Sequence, residues 1–481
     1  MKILLVNPPF ARFSGSSQSY YPLGLGYLSS YVAGRLAVDA PIYNVDRFEG
    51  KSLGVAAKFE KQDHYAAGVD DLSGPVWTEF RETIRSCRPD VVAVSVMSAK
   101  LPSAQSVVAV VRETLPEAVT VIGGPHATLD PQDTIDKTKA DYVVRGEGEQ
   151  TFAELIEKLM AGSDPADVAG LSYVRDGSLV STADRPMLAD LDSLPFPERT
   201  NLLFRERFSD QEFNVVVTSR GCPYRCSFCC AGPLWNHRVR FRSPANVAAE
   251  IETLIAGGYR KVLFWDDTFG SIPKRTIEMC EHFRRHLPRF FWSCTTRADV
   301  TEEMARQMAA AGCISVDLGL ESASPRVIEK INKKVTVDMV HQAVAMLRRH
   351  GISVNIFLMV GFPFEREEDI TETIRFVERS QGVEAFGLSC FTPYPGTPIF
   401  DDMVRQGELD QHTLDWRLLS HQSFHNRFNK SISPARFQEL LDELLAGVES
   451  KNQSRTVARW HRYWRMFRYS PGAFVSTVMH K

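Results

Sequence analysis

Ser219-Arg220-Gly221-Cys222-Pro223-Tyr224-Arg225-Cys226-Ser227-Phe228-Cys229-Cys230 carries three cysteines in the spacing C-x3-C-x2-C. The β-branched run Asn214 to Thr218 just before it reads as a strand, so the cysteines fall on the loop at a strand's carboxyl end. Three thiolates on one loop can ligate three irons of a [4Fe-4S] cubane and leave the fourth open. An open iron can chelate the amino and carboxylate groups of S-adenosylmethionine, and one electron then cleaves the sulfonium to a 5′-deoxyadenosyl radical. The rival reading is zinc, with His237 or a distant cysteine as fourth ligand. Zinc sites generally pair two C-x2-C arms, and this chain has no second arm. Cys230, adjacent to a ligand, reads as a packing thiol.

Downstream of the cysteines, Lys261 to Trp265, Phe291 to Thr296, Ser315 to Leu318, Ser353 to Val360 and Glu384 to Phe391 read as further strands separated by amphipathic helices. With Asn214 to Thr218 they predict a six-stranded partial barrel over 206–400. Polar or glycine residues mark successive strand ends: Asp266-Asp267, Arg297, Glu321-Ser322 and Gly361. A barrel places its site at those ends. Taken singly, the acidic residues could equally be helix caps or ion-pair partners.

Upstream, Lys2 to Asn7, Ile42 to Val45, Val91 to Val96, Val119 to Ile122 and Asp141 to Val144 alternate with helical patterns and predict an open, doubly wound α/β domain over 1–165. Pro8-Pro9, Gly123-Gly124-Pro125-His126 and Gly146-Glu147-Gly148-Glu149 lie at its strand ends, where backbone can approach a ligand. A hairpin turning at Asp176-Gly177 and the Leu194-Pro195-Phe196-Pro197 break assign 166–205 to a linker. Residues 401–481 read as helices outside the barrel.

The 481 residues carry a net charge of −3, which excludes the general basic surface of a nucleic-acid binder. The apolar run at Ile3 to Val6 is too short for a secretory or membrane segment, so a cytoplasmic enzyme is expected. Five of the nine cysteines, Cys87, Cys280, Cys294, Cys313 and Cys390, are scattered in apolar segments, unlike a disulfide framework.

Cys222 to Cys229, with Phe228 before the third cysteine, resembles the radical S-adenosylmethionine superfamily signature. That resemblance implies S-adenosylmethionine contacts at Phe228 and Ser322, its amino group near Asp266 and Asp267, its carboxylate or ribose near Arg297 and Glu321, and its adenine beside Gly361. The preceding doubly wound domain resembles the cobalamin-binding branch, which includes class B methyltransferases and the anaerobic magnesium-protoporphyrin ester cyclase. The residues that carry this are Asn7-Pro8-Pro9, Pro22-Leu23-Gly24-Leu25-Gly26-Tyr27-Leu28, Gly123-Gly124-Pro125-His126 and Arg145-Gly146-Glu147-Gly148-Glu149. The resemblance implies cobalamin contacts at Pro8, Pro9, Leu23, Gly24, Ser95, Gly123, Gly124, Pro125, His126, Gly146 and Glu147. Of the three marks of better-known cobalamin domains, Ser95-Val96-Met97 approximates S-x-L and Gly123-Gly124 supplies G-G. The first, D-x-H-x-x-G, is missing; the nearest string, Asp46-Arg47-Phe48-Glu49-Gly50, has no histidine. A bound cobalamin is therefore expected to be His-off. His126 could face the corrin or make ordinary hydrogen bonds.

The expected activity is methyl transfer to an unactivated carbon, fed by an external electron donor of flavodoxin or ferredoxin type. Radical cyclisation or ring contraction without methylation is the alternative, and a noncatalytic, zinc-stabilised nucleotide-binding module is the rival from another class. A methylthiotransferase is disfavoured, because the first domain has only Cys87 where three more cluster ligands are needed. Tyr394, in the proline-rich loop after the sixth barrel strand, is a candidate substrate contact. Arg455 to Tyr469 contains no acidic residue and sets Val457, Trp460, Trp464 and Phe467 at helical spacing. Such a helix either packs on the barrel or lies on an anionic membrane, and in the second case a lipid or isoprenoid substrate fits.

Overall fold

Runs of Val, Ile and Leu too apolar to leave either face in water form the first sheet: Ile3–Val6 and Val91–Val94 are each no more than 5% exposed. A computed structural model describes residues 1–15, 20–47, 50, 53–454 and 456–479, without the side chains of 210, 211, 456–461 and 476–479. The chain forms two units, one of Met1–Leu53, Lys61–Phe208 and Tyr394–Ser420, the other of Gly54–Glu60, Ser209–Pro393 and His421–Lys481.

In the first unit β1 (Ile3–Asn7), β2 (Ile42–Asn44), β3 (Val91–Ser95), β4 (Val119–Gly123) and β5 (Tyr142–Val144) are parallel in the order β2-β1-β3-β4-β5. The expected doubly wound sheet is thus present, with its switch point between β1 and β3. The hairpin β6 (Leu171–Arg175) and β7 (Ser178–Ser181) extends it antiparallel beyond β5. Asp176 and Gly177 both have positive φ, 53° and 76°, as a two-residue turn of this hand requires.

The second unit contains β8 (Val215–Val216), β9 (Ser219–Arg220), β10 (Arg240–Phe241), β11 (Lys261–Phe264), β12 (Phe291–Thr296), β13 (Cys313–Glu321), β14 (Ser353–Val360) and β15 (Ala385–Cys390). Six of them form a parallel sheet in the order β15-β14-β13-β12-β11-β8, and β9 pairs antiparallel with β10. The outer strands β8 and β15 do not pair with each other, so the barrel is open. Inward-facing residues come into register as layers: Thr295, Asp317, Asn355 and Ala385 in one, Gly319, Phe357 and Gly387 in the next. The glycines make room for their neighbours; a Cβ on Gly387 would lie 2.7 Å from the Phe357 ring.

Two strands differ from the sequence reading by more than one residue at an end. β8 stops at Val216 because Thr218 turns its N–H and hydroxyl to Asp266. β13 continues to Glu321 through a register shift after Gly319. The division of the chain also departs from boundaries at 165, 205 and 400: Tyr394–Ser420 belongs to the first unit and Gly54–Glu60 to the second. Much of 411–433 is irregular, and the helices Pro434–Gln453, Thr456–Tyr469 and Pro471–Met479 follow. No described helix is long and apolar enough to cross a membrane.

Within the first unit Trp416 is 2% exposed, donates Nε1 to Asp133 Oδ2 at 3.3 Å and meets the His126 ring edge-on at 5.6 Å. Trp416→Ala should destabilise this unit by about 3–5 kcal/mol through the cavity it leaves, read as an earlier urea transition.

Candidate active site

The cysteine loop, Gly221 to Cys230, has little regular structure and is fixed from both sides. On its incoming side, Asp266 accepts from Thr218 N at 2.6 Å, Thr218 Oγ1 at 2.5 Å and Ser219 N at 3.2 Å. Asp267 accepts from Gly221 N at 3.0 Å. Gly221 has φ +98°, and a Cβ there would lie 2.0 Å from Arg238 O. Asp266 is buried, which raises its pKa, and three donors work against that shift.

On its far side the loop is strapped by residues 331–334. Ser227 N donates to Ile331 O at 2.9 Å and Asn332 Nδ2 to Arg225 O at 2.8 Å. Arg297, buried, donates to Lys333 O at 2.8 Å and Lys334 O at 3.2 Å while its guanidinium stands 3.8 Å from the Tyr224 ring centre. Asn332 and Lys334 take positive φ to make this turn.

Cys222, Cys226 and Cys229 are free, half-buried thiols. Burial raises the pKa of all three; at Cys226 the charges of Lys333 and Arg297 oppose it. Coordination to a metal overcomes such a shift and holds the sulfurs as thiolates. Among the described residues no three His, Cys, Asp or Glu side chains converge on a point suited to a single metal ion. Three thiols on one short loop can each give one sulfur to a separate iron of a cluster. Arg297 Nε is buried without a hydrogen-bond acceptor, its nearest carboxylate being Asp299 Oδ2 at 3.5 Å. That donor fits an anionic group placed beside the loop.

Glu321 has φ +71° and pairs with Lys333 at 2.6 Å; both side chains are about nine-tenths buried. Burial disfavours the Lys333 charge, but Glu321 and Cys226 outweigh it and raise its pKa. Lys333 Nζ also lies 5.9 Å from the Phe228 ring centre. Phe228 meets Phe362 edge-on at 5.8 Å, next to Gly361. Gly361, φ +88°, donates its N–H to Glu365 Oε2 at 2.5 Å. Ser322 is fully buried against Thr373 Oγ1 and accepts from Ser324 N.

The loop thus gathers Phe228, Asp266, Asp267, Arg297 and Glu321 around the three cysteines, while Ser322 packs into the wall behind. Lys333 escaped the sequence reading. Two adjacent lysines after a short helix look like solvated charge, and only the fold brings Glu321, twelve residues earlier, into contact.

At the carboxyl edge of the first sheet, Lys100 Nζ bridges Asn7 Oδ1 at 2.9 Å and Asp46 Oδ2 at 2.6 Å across the switch point. Pro8 and Pro9 are buried, Pro9 O accepting from Ser103 Oγ. Gly124 has φ +105°, and a Cβ there would meet Val96 N and O at 2.8 Å, close to half-buried Ser95. Gly123 ends β4 and Pro125 opens the next helix. Open space lies beside Gly24, next to Leu23, and beside Gly146; Met97 at the end of β3 is exposed. Glu147 Oε2 accepts from Leu188 N. His126 is 1% exposed, with Nδ1 at 2.9 Å from Ser98 Oγ and Nε2 at 3.2 Å from Asp133 Oδ2. Both ring nitrogens are therefore committed inside the unit. Tyr394 stacks on Trp416 at 6.1 Å. Of the string 46–50, residues 48 and 49 lie outside the described residues.

A cysteine loop at the mouth of an open parallel barrel, in a chain that begins with a doubly wound sheet, defines the class of radical S-adenosylmethionine enzymes with a ligand-binding amino-terminal unit. Residues 216–377 match the Radical SAM superfamily and residues 54–156 match the B12 binding domain. The chain is 30% identical over 426 residues, 87% of its length and 86% of the other's, to an uncharacterized methyltransferase of Pyrococcus horikoshii. It is 30% identical over 356 residues to the anaerobic magnesium-protoporphyrin IX monomethyl ester cyclase of Rubrivivax gelatinosus, covering 71% of this chain and 63% of the cyclase. Among solved structures its fold resembles TsrM, a radical S-adenosylmethionine methyltransferase of Kitasatospora setae solved with cobalamin and a [4Fe-4S] cluster: TM-score 0.68, 18% identity, 93% of this chain and 88% of the other. The chain belongs to the radical S-adenosylmethionine superfamily, in the group that carries a B12-binding domain.

Gly221→Ala, strained by about 1–3 kcal/mol at a positive φ and blocked by Arg238 O, should fold yet take up less iron on anaerobic reconstitution, read as iron per chain. Glu365 offers a second check. Burial raises its pKa to about 8, from 4.5. The folded state therefore holds a proton that the unfolded state releases, and this contribution to stability, full below pH 4.5, is lost as pH rises through 8. Between pH 6 and 9 the native protein should lose urea resistance that Glu365→Gln retains.

Proposed function

We propose that this chain is a cobalamin-dependent methyltransferase acting on an unactivated carbon of a small or lipid-like molecule. When bound, the cluster supplies the electron that cleaves S-adenosylmethionine and cobalamin supplies a transferable methyl group. The observation that carries the reading is that one loop carries three thiols and is held beside Arg297 and the Glu321–Lys333 pair at strand ends of one barrel.

Cys222, Cys226 and Cys229 would hold three irons. Arg297 would give its Nε, which has no hydrogen-bond acceptor, to the carboxylate of S-adenosylmethionine. Gly361, with no side chain, would leave room beside the adenine, and Phe228 with Phe362 would exclude water there. Asp266 and Asp267 act one step back: their hydrogen bonds go to Thr218, Ser219 and Gly221, so their part is to fix the loop. The inward-facing Phe357 and Trp265, 40% and 49% exposed, supply an apolar lining for a substrate. Asp317, bonded to Asn355 at 2.6 Å, supplies a polar one.

At the first sheet's edge, a cobalamin would be held by the backbone of Gly123, Gly124, Gly146 and Glu147, alongside Pro8, Pro9, Leu23, Gly24, Ser95 and Pro125. With His126 committed to Ser98 and Asp133, it would be held His-off. An external one-electron donor of flavodoxin or ferredoxin type would feed the cluster.

Cyclisation without methyl transfer is the second reading, favoured by the 30% identity to the Rubrivivax cyclase. Anaerobically reconstituted protein should contain about four iron and four sulfide per chain and bind hydroxocobalamin. It should form 5′-deoxyadenosine only with reductant, and Cys226→Ala should abolish this. Deoxyadenosine formation that survives Cys226→Ala would refute the cluster assignment. Mass spectrometry with methyl-labelled S-adenosylmethionine decides the rest: label in the product supports methyl transfer, and an unlabelled cyclised product overturns it.

A further inference from the structure

The carboxyl-terminal helices Thr456–Tyr469 and Pro471–Met479 have two unlike faces. On one, buried Met466 and Ala473 pack against Phe291 and Ile314, at the starts of β12 and β13. This is the barrel end opposite the cysteine loop. On the other, Trp464, Phe467 and Val475 are 57%, 48% and 53% exposed, three of the most exposed large apolar side chains described. The Arg468 guanidinium lies 4.7 Å from the Trp464 ring centre, and Phe467 meets Phe474 edge-on at 5.8 Å. Side chains of Val457, Arg459 and Trp460 lie outside those described, as does Arg455.

Beside the exposed face is a cavity of about 290 Å³, lined among others by Trp464, Arg465, Arg468, His350, Gly312 and Ile314, and by no acidic side chain. The nearby Glu302 is already shared between Arg349 and His350, at 2.8 and 2.6 Å. Arg465 makes no hydrogen bond or ion pair among the described residues, and its burial works against its charge. An anion in the cavity would relieve that cost. Residues 454–481 contain Arg455, Arg459, Arg462, Arg465, Arg468 and Lys481 and no aspartate or glutamate. Arg462 is already paired with Glu384, while Arg465 and Arg468 have no ion-pair partner among the described residues. A face that combines exposed aromatics with these two charges is complementary to an anionic interface: the charges are drawn to the headgroups and the aromatics enter the boundary below them.

We propose that these two helices dock the protein on an anionic phospholipid surface, with a headgroup phosphate between Arg465 and Arg468 and with Trp464, Phe467 and Val475 in the interfacial layer. The contact uses the starts of the barrel strands and leaves the cysteine loop at the opposite end of the barrel. It is independent of the reaction performed there.

Flotation of the full chain with vesicles of phosphatidylcholine containing phosphatidylglycerol, against pure phosphatidylcholine, tests it. Binding should require phosphatidylglycerol and weaken with salt. It should fall about thirty-fold in Arg465→Gln/Arg468→Gln, at about 1 kcal/mol per basic residue, and be lost in Trp464→Ser/Phe467→Ser. Far-UV circular dichroism and reconstituted iron content should stay unchanged in both. Absence of binding to anionic vesicles, or equal binding by both variants, would overturn the proposal. So would saturable binding of inorganic phosphate without vesicle binding. A concentration-dependent dimer abolished by Trp464→Ser/Phe467→Ser, in a protein that ignores vesicles, would assign the face to a second copy instead.

Discussion

The carboxylate of Asp266 is the fixed point of the barrel site. It takes the N–H and hydroxyl of Thr218 and the N–H of Ser219, and its neighbour Asp267 takes the N–H of Gly221. A chain leaving a strand has backbone donors with no ladder to join, and buried donors without acceptors are costly. The two aspartates at the end of β11 answer that need and set where the next nine residues start. Without them the cysteines would still be adjacent in sequence but would have no fixed place relative to Arg297 or Glu321. The strap at 331–334 then closes the loop from the other side, so its position is determined at both ends.

The charge balance around the loop follows from that geometry. Burial disfavours the ionised form of every thiol there, and Lys333 and Arg297 supply the opposing positive field at Cys226. Lys333 can stay charged in so dry a place because Glu321 lies 2.6 Å away, and Glu321 reaches it only by leaving the regular strand at a positive φ. Gly319 belongs to the same device: a Cβ on it would lie 2.7 Å from Glu321 Oε1 and 2.8 Å from Lys333 Nζ. One irregular strand end therefore carries the ion pair and the space it occupies.

The sequence made the strands legible because buried parallel strands are near-continuous apolar runs, as at Val91 to Val94. The cysteines were legible because their chemistry is a local spacing. Asp266 was legible as a polar residue at a strand end but not as a clamp, since its partners lie nearly fifty residues earlier. His126 stayed open between a corrin contact and ordinary hydrogen bonds because a histidine after two glycines carries no sign of Ser98 or of Asp133, whose own companion Trp416 comes 283 residues later. The attachment of Tyr394–Ser420 to the first unit and of Gly54–Glu60 to the second is likewise a matter of long-range packing, which no composition shift marks.

That last arrangement bears on how the protein is made. The first unit is complete only when Trp416 and its neighbours have been synthesised, yet its sheet is already encoded by residue 181. At about 5–20 residues per second, the roughly 210 residues between Phe208 and Ser420 occupy the ribosome for about 10–40 s. Throughout that interval the nascent first unit lacks the indole that caps His126 and Asp133, while all six barrel strands emerge behind it. The two units are thus tied in time as well as in sequence: the first cannot be finished until all the barrel strands have been translated, and no single cut in the chain separates the two.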